Sequence, residues 1–147
     1  MSELSKPVEA IRPTPTRCVI VVDSALPPGL AANAAAVIAL TVGARYPALL
    51  GAPLVDASGL EHPGLIPIGI AVLAASQDDL GTLRVRASEV ECDLVDFPVQ
   101  GQQTTNYQAF RDAVAIVKTQ DLRYVGVALV GEKKAISKLV ANFALLK

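Results

Sequence analysis

Residues 17–45, RCVIVVDSALPPGLAANAAAVIALTVGAR, constrain the fold more than any other stretch, because they join the least polar strand of the chain to its least polar helix. Cys18 to Val22 is an unbroken apolar run rich in β-branched side chains, and a strand of that kind is covered on both faces. It belongs in the middle of a sheet. After the breaker Leu26-Pro27-Pro28-Gly29, residues Leu30 to Arg45 carry only Asn33 and Thr41 as polar side chains before Arg45. A helix with so little polar surface is expected to be buried nearly all round, in part against a second subunit.

The rest of the chain alternates between the two periodicities. Ile66 to Ala74 reads as a strand, with Pro67 near its start, where a missing donor matters least. Ser76 opens a capping sequence, S-Q-D-D, and Leu80, Leu83 and Ala87 follow at helical spacing, with Arg84 and Arg86 on the outer side. Cys92 to Phe97 predicts a third strand, and the polar segment 99–106 a loop. Thr105 or Asn106 caps a helix carrying Phe110, Ala113, Val114 and Val117 on one stripe. Tyr124 to Val130 predicts a fourth strand, and Ile136, Leu139, Val140 and Phe143 a final helix. The order βαβαβαβα predicts an α/β fold: a three-layer α/β/α sandwich around a four-stranded, mostly parallel (mixed) sheet.

Two segments stand apart. Residues 1–16 contain Pro7, Pro13 and Pro15 without periodicity and are expected to form a flexible N-terminal arm, leaving 17–147 as one α/β domain. Tyr46 to Leu65 is a long connection, holding a short edge strand at Leu54-Val55 and a turn at Asp56-Ala57-Ser58-Gly59. Connections of that length are often functional.

Composition narrows the functional classes. Thirteen Lys and Arg against fourteen Asp and Glu leave a net charge of -1, which gives no general attraction for nucleic acid. Three Tyr, three Phe and no Trp leave little with which to stack on bases. Cys18 and Cys92 both fall in predicted strands and read as reduced thiols rather than a disulfide or a metal pair. The N-terminus lacks the pattern of a secretory signal, and no apolar run reaches the roughly 20 residues of a membrane span, so a cytoplasmic protein is expected. There is no P-loop, no G-x-G-x-x-G and no Cys-x-x-Cys, and no cofactor is expected.

Three motifs carry a family resemblance: V-I-V-V-D ahead of L-P-P-G-L-A-A-N-A-A-A, then G-A-P-L-V-D-A-S-G-L-E-H-P-G, and finally Y-V-G-V-A-L-V-G-E-K-K-A-I-S-K-L. From about Arg17 onward the chain resembles the bacterial family known as domain of unknown function 2000. That family is similar to the type II peptidyl-tRNA hydrolases, and the resemblance implies a four-stranded mixed sheet between helices, one strand antiparallel, in a homodimer. It does not carry the activity across. Where the hydrolases have Gly-Lys and then Ala-Ala-Gln, this chain has Gly29-Leu30 and Ala31-Ala32-Asn33. Where they have Ile-Asp-Lys-Val-Thr-Gly, it has Ile136, Ser137, Lys138, Leu139, Val140 and Ala141. A cation, a carboxylate and a hydroxyl that could polarise and attack an ester are missing.

The candidate ligand-binding residues are therefore read from local chemistry. Asn33 lies one turn into an apolar helix, where it bonds a neighbouring loop or faces a pocket at the end of the first strand with Ser24 and the helix amides. His62, the only histidine, shares the long loop with Asp56, short of the three or four ligands that a metal site wants. Lys133 and Lys134 concentrate positive charge at the start of the last helix, which would suit a phosphate or carboxylate. The expectation is a homodimeric protein that binds a small anionic ligand between helix termini and the long loop, without hydrolase activity. Its alternatives are a peptidyl-tRNA hydrolase-like or esterase-type enzyme using Ser24, Asn33, Asp56 and His62, and a protein interaction module.

Overall fold

The computed structural model describes residues 14–147, so the arm expected over 1–16 lies, up to residue 13, outside the described residues. Thr14–Thr16 is no free arm: Pro15 is buried, and the Thr16 amide and hydroxyl both donate to the Gly131 carbonyl. The elements follow as β1 (Arg17–Asp23), α1 (Pro28–Arg45), β2 (Leu54–Val55), β3 (Glu61–His62), β4 (Ala71–Ala75), α2 (Gln77–Ser88) and β5 (Cys92–Pro98). After them come α3 (Gln100–Gln103), α4 (Tyr107–Ala115), β6 (Tyr124–Gly131), α5 (Lys133–Leu139) and β7 (Ala144–Leu145).

The five main strands form one mixed sheet in the order β5-β6-β1-β4-β7. β1 is paired on both edges, parallel to β4 from Val19↔Ala71 to Asp23↔Ala75 and antiparallel to β6 from Arg17↔Gly131 to Val22↔Gly126. β5 and β7 are antiparallel to their neighbours. The sheet thus differs from the four mostly parallel strands expected: it has five, and one parallel pairing among four. The reason lies in the C-terminal segment. After α5 stops at Leu139, the chain turns back and adds Ala144–Leu145 to the open edge of β4, where a continued helix was expected. β6 enters against β1 because the short connection after α4 leaves the chain at the end of the sheet where β5 finishes.

Alternation then sorts the core. Cys18, Ile20, Val22, Ala128 and Val130 point to one face, under α1, whose Ala31, Ala34, Ile38 and Val42 seat on them. Val19, Val21, Val127 and Leu129 point to the other, under Leu80, Leu83 and Ala87 of α2 and Ile136 and Leu139 of α5. Helices therefore cover both faces, as the doubly apolar β1 requires. α1 corrects the expectation of all-round burial: Asn33 is exposed, and Leu30, Val37 and Leu40 face outward. By length and hydropathy α1 could pass for a membrane span, but its inner face packs on the sheet as a core helix does.

Smaller departures have local causes. The strand expected over 66–74 begins only at Ala71, since Pro67 and Gly69, the latter at φ 70°, break the extended run. The loop expected over 99–106 holds the one-turn α3. The cap readings match: Ser76 Oγ accepts from the Asp79 amide at 3.1 Å and Asn106 Oδ1 from the Ala109 amide at 2.8 Å. Truncating the α1 anchor with Ile38→Ala, at 1% exposure, should cost about 2–5 kcal/mol in chemical denaturation.

Candidate functional site

β1, β4 and β5 finish at the same end of the sheet, where β6 begins, and the polar chemistry gathers there. Asp23 ends the apolar strand at 5% exposure and is the one charged side chain buried among the described residues. A buried carboxylate must be held by donors. Its Oδ1 accepts from the Ala25 amide at 2.9 Å and its Oδ2 from Gln77 Nε2 at 3.0 Å. Gln77 Oε1 in turn accepts from Arg123 Nε at 2.8 Å, and Arg123 donates through a terminal nitrogen to Asp78 at 3.0 Å. The partners fix the Gln77 amide: a carboxylate only accepts and a guanidinium only donates, so its nitrogen must face Asp23 and its oxygen Arg123. Both Asp23 oxygens are thus taken, one by the turn that leads toward α1 and one by the first residue of α2, while the start of α1 itself has no side-chain cap.

Outward from this relay, α2 and residues 119–124 enclose a cleft of about 580 Å³. Arg84 and Arg123 line it together with Tyr124, Val85 and Leu122. Arg84 is held by Asp96, Nε to Oδ2 at 2.8 Å, with its guanidinium 5.9 Å from the Tyr124 ring centre. The bond to Asp96 is the main cause that holds Arg84 above the ordinary arginine range. Tyr124 is 2% exposed, and its buried hydroxyl has no hydrogen-bond partner among the described residues. Burial, with the Asp96 charge behind it, pushes this phenol above its ordinary value, so it stays a donor at neutral pH.

At the opposite end a second cleft of about 650 Å³ is lined by acids, among them Glu91, Asp93 and Glu132. Its neighbouring cation is committed: Arg45 donates to both Asp93 oxygens at 2.8 and 3.0 Å, and the Tyr46 hydroxyl adds a third bond at 2.8 Å. Burial pushes Asp93 up, yet these bonds outweigh it and leave the carboxyl below its usual range.

The six residues singled out from sequence fall into three places. Ser24 and Asn33 lie at the relay end, both exposed, and Asn33 Oδ1 accepts from Gln102 Nε2 at 3.1 Å, so it bonds the one-turn α3. Asp56 and His62 meet on the β2–β3 hairpin, Nε2 to Oδ2 at 2.9 Å, and the His62 bond is the main cause that holds Asp56 below the ordinary carboxylate range. The other Asp56 oxygen accepts from the Ser58 and Leu60 amides, and no hydroxyl or amide of Ser24 or Asn33 bonds to the pair. Lys133 and Lys134 sit at the far end of β6, roughly 23 Å away along an eight-residue strand. The amide of Lys133 donates to the Thr16 hydroxyl at 3.0 Å, so a side chain already caps that helix start. These six do not share one pocket. Gln77, Arg84, Arg123 and Tyr124 are not among them, although one signal in the sequence points there: a lone Asp closing an apolar strand must find donors where the chain leaves the sheet.

Among the described residues no three His, Cys, Asp or Glu converge in a way that could hold a metal. Cys18 and Cys92 are free thiols. Burial, against the opposing charge of Arg17, pushes Cys18 up to about 11. Its protonated form therefore supports the fold fully below pH 9.0, where an exposed thiol is protonated too, and the support is lost as pH rises through about 11. Native protein should leave Cys18 unlabelled by a thiol reagent at pH 8, react after unfolding, and lose denaturant resistance between these pH values less steeply in Cys18→Ala.

No curated protein matches the chain. A protein of unknown function from Agrobacterium tumefaciens strain C58 has a similar structure, with TM-score 0.80 at 20% identity over 88% of this chain and 96% of that one. At that identity the likeness establishes the fold alone. Residues 16–147 match the family described as protein of unknown function DUF2000, almost the whole of the chain, and the protein belongs to that family.

Proposed function

We propose that this is a cytoplasmic, homodimeric α/β protein that binds a small anionic ligand without hydrolysing it. The observation that carries the reading is the pairing of two guanidinium groups in a cleft that offers no nucleophile with a base beside it. Thr82, one of the hydroxyls that line it, donates to the Asp78 carbonyl, and the single histidine pairs with Asp56 on a separate hairpin. Ligand recognition needs donors, whereas ester cleavage needs an activated oxygen as well. Two free thiols suit a reducing compartment.

Self-association is supported by the outer surface of the α1 layer. Leu30, Val37 and Leu40 of α1 are exposed, as are Leu54, Val55, Leu60 and Leu65 of the segment that follows it, while α2 and the turn after it expose Val85 and Val90. A monomer rarely leaves so much aliphatic surface in water, and a two-fold interface would bring each copy's patch onto the other's. The same surface favours an interaction module as the second reading, with a different protein in place of the second copy.

The strand order β4-β1-β6-β5, with β6 alone reversed among those four, supports the likeness to the type II peptidyl-tRNA hydrolase fold. The chemistry argues against the substrate: net charge is -1, and the adjacent basic pair Lys133 and Lys134 is too small to neutralise several phosphates. Ser24, Asn33, Lys133 and Lys134 remain available to weaker anion contacts at the two ends of the sheet.

Light scattering at micromolar concentration should give twice the 15.3 kDa chain mass, falling to one chain in Leu40→Asp with the circular dichroism spectrum unchanged, since Leu40 is 78% exposed. A monomeric parent protein would refute the dimer. Incubation with an N-blocked aminoacyl-tRNA beside an active hydrolase should give no turnover above background, and turnover that Asn33→Ala or His62→Ala removes would overturn the non-hydrolase reading.

A further inference from the structure

The relay-end cleft has a property that neither the fold nor the family description explains. Arg84 is clamped by Asp96 at 2.8 Å, with side-chain exposures of 31% and 28%, so its guanidinium is fixed before anything binds. Arg123 is held differently. Its Nε is committed to Gln77, which is itself bonded to the buried Asp23, while its terminal nitrogen bonds Asp78, a carboxylate 87% exposed. An ion pair that open to water adds little to stability. The stem of Arg123 is thus anchored inward and its tip rests on a weakly held, replaceable partner.

Beneath the Arg84 guanidinium lies Tyr124, which also lines the cleft, buried and with a hydroxyl that finds no partner among the described residues. Leaving such a donor unmet is costly. Val85 and Leu122 add two aliphatic side chains to a lining that otherwise carries Thr82, Thr119 and Gln120. A pair of forked cations, an unmet hydroxyl and two aliphatic side chains fit a molecule with an oxyanion at one end and an apolar body at the other. We propose that this cleft binds the carboxylate or phosphate head of a small organic anion, which takes the place of Asp78 on Arg123. This rests on the anion-binding reading above and supplies its site.

The exchange makes an unusual demand. Removing a negative charge from the cleft by Asp78→Asn should tighten binding, because the variant frees Arg123 without a competitor. Arg123→Gln should weaken it by about tenfold or more, the range expected for a charged hydrogen bond. Tyr124→Phe should weaken it by about two- to tenfold while leaving the free protein at least as stable, since it deletes a buried hydroxyl that had no partner. A merely structural tyrosine would not separate the two readouts.

The experiment titrates the full-length protein with benzoate, phenyl phosphate and inorganic phosphate, and follows backbone amide resonances. One of the two aryl anions should saturate shifts at Gly81, Thr82 and Arg123 and bind more tightly than inorganic phosphate; which of them does so distinguishes a carboxylate ligand from a phosphate ester. The three variants, each first matched to the parent by its amide spectrum, should move affinity in the directions given. If Arg123→Gln fails to fold, Arg123→Lys replaces it and should weaken binding while retaining the charge. Equal binding by the Arg123 variant, or weaker binding by Asp78→Asn, would overturn the proposal. Saturable shifts confined to the Lys133 region would overturn this site and leave the anion-binding reading standing. The absence of saturable binding by any of the three anions at tens of millimolar would overturn both.

Discussion

The antiparallel pairing of β1 with β6 is the interaction on which the rest of the structure depends. Apart from the half-buried Arg17 and Gly131 at one end, both strands are buried on both faces, so the ladder bonds between them are made away from water and cannot be given up cheaply. Their side chains need two separate covers. α1 supplies one, and α2 with α5 supplies the other. The pair also fixes the two ends of the molecule: Asp23 and Tyr124 come out at one, Arg17 and Gly131 at the other. Polar groups can reach water only at those ends, which is why the clefts and the buried carboxylate are found there.

The parts of this that were legible from residues are those governed by local pattern. An apolar β-branched run of strand length could only be a covered strand, and Ser76 and Asn106 announced their helices through side chains that reach their own backbone. Strand direction was not legible, because an apolar run looks the same whether its neighbour runs with it or against it. β7 was hidden by the same ambiguity. Phe143 continues the helical spacing after Val140, yet its amide closes a turn onto the Val140 carbonyl and the residues after it pair with the edge of β4, a choice made by the sheet and not by the segment. α1 shows the limit of composition: an apolar helix need not be a buried one, and only packing against β1 and β6 decides which of its sides is covered.

The candidate site was harder for a related reason. Residues chosen for their own reactivity, such as the single histidine or an adjacent lysine pair, were scattered to a hairpin and to the far end of the sheet. The residues that do converge are ordinary in sequence. Arg84 reads as a solvated position on the outside of α2, and Arg123 as a connector before a strand. Their significance comes from long-range partners, Asp96 and Gln77, which periodicity cannot supply.

Gln77 gives the relay a direction. Its amide presents a donor to Asp23 and an acceptor to Arg123, so the position demands one end of each kind at that reach. Glutamate would set two like charges face to face, and leucine would strand both neighbours. Related chains can therefore be compared at this one position: a glutamine there can keep the carboxylate and the arginine linked, and a side chain without both a donor and an acceptor cannot.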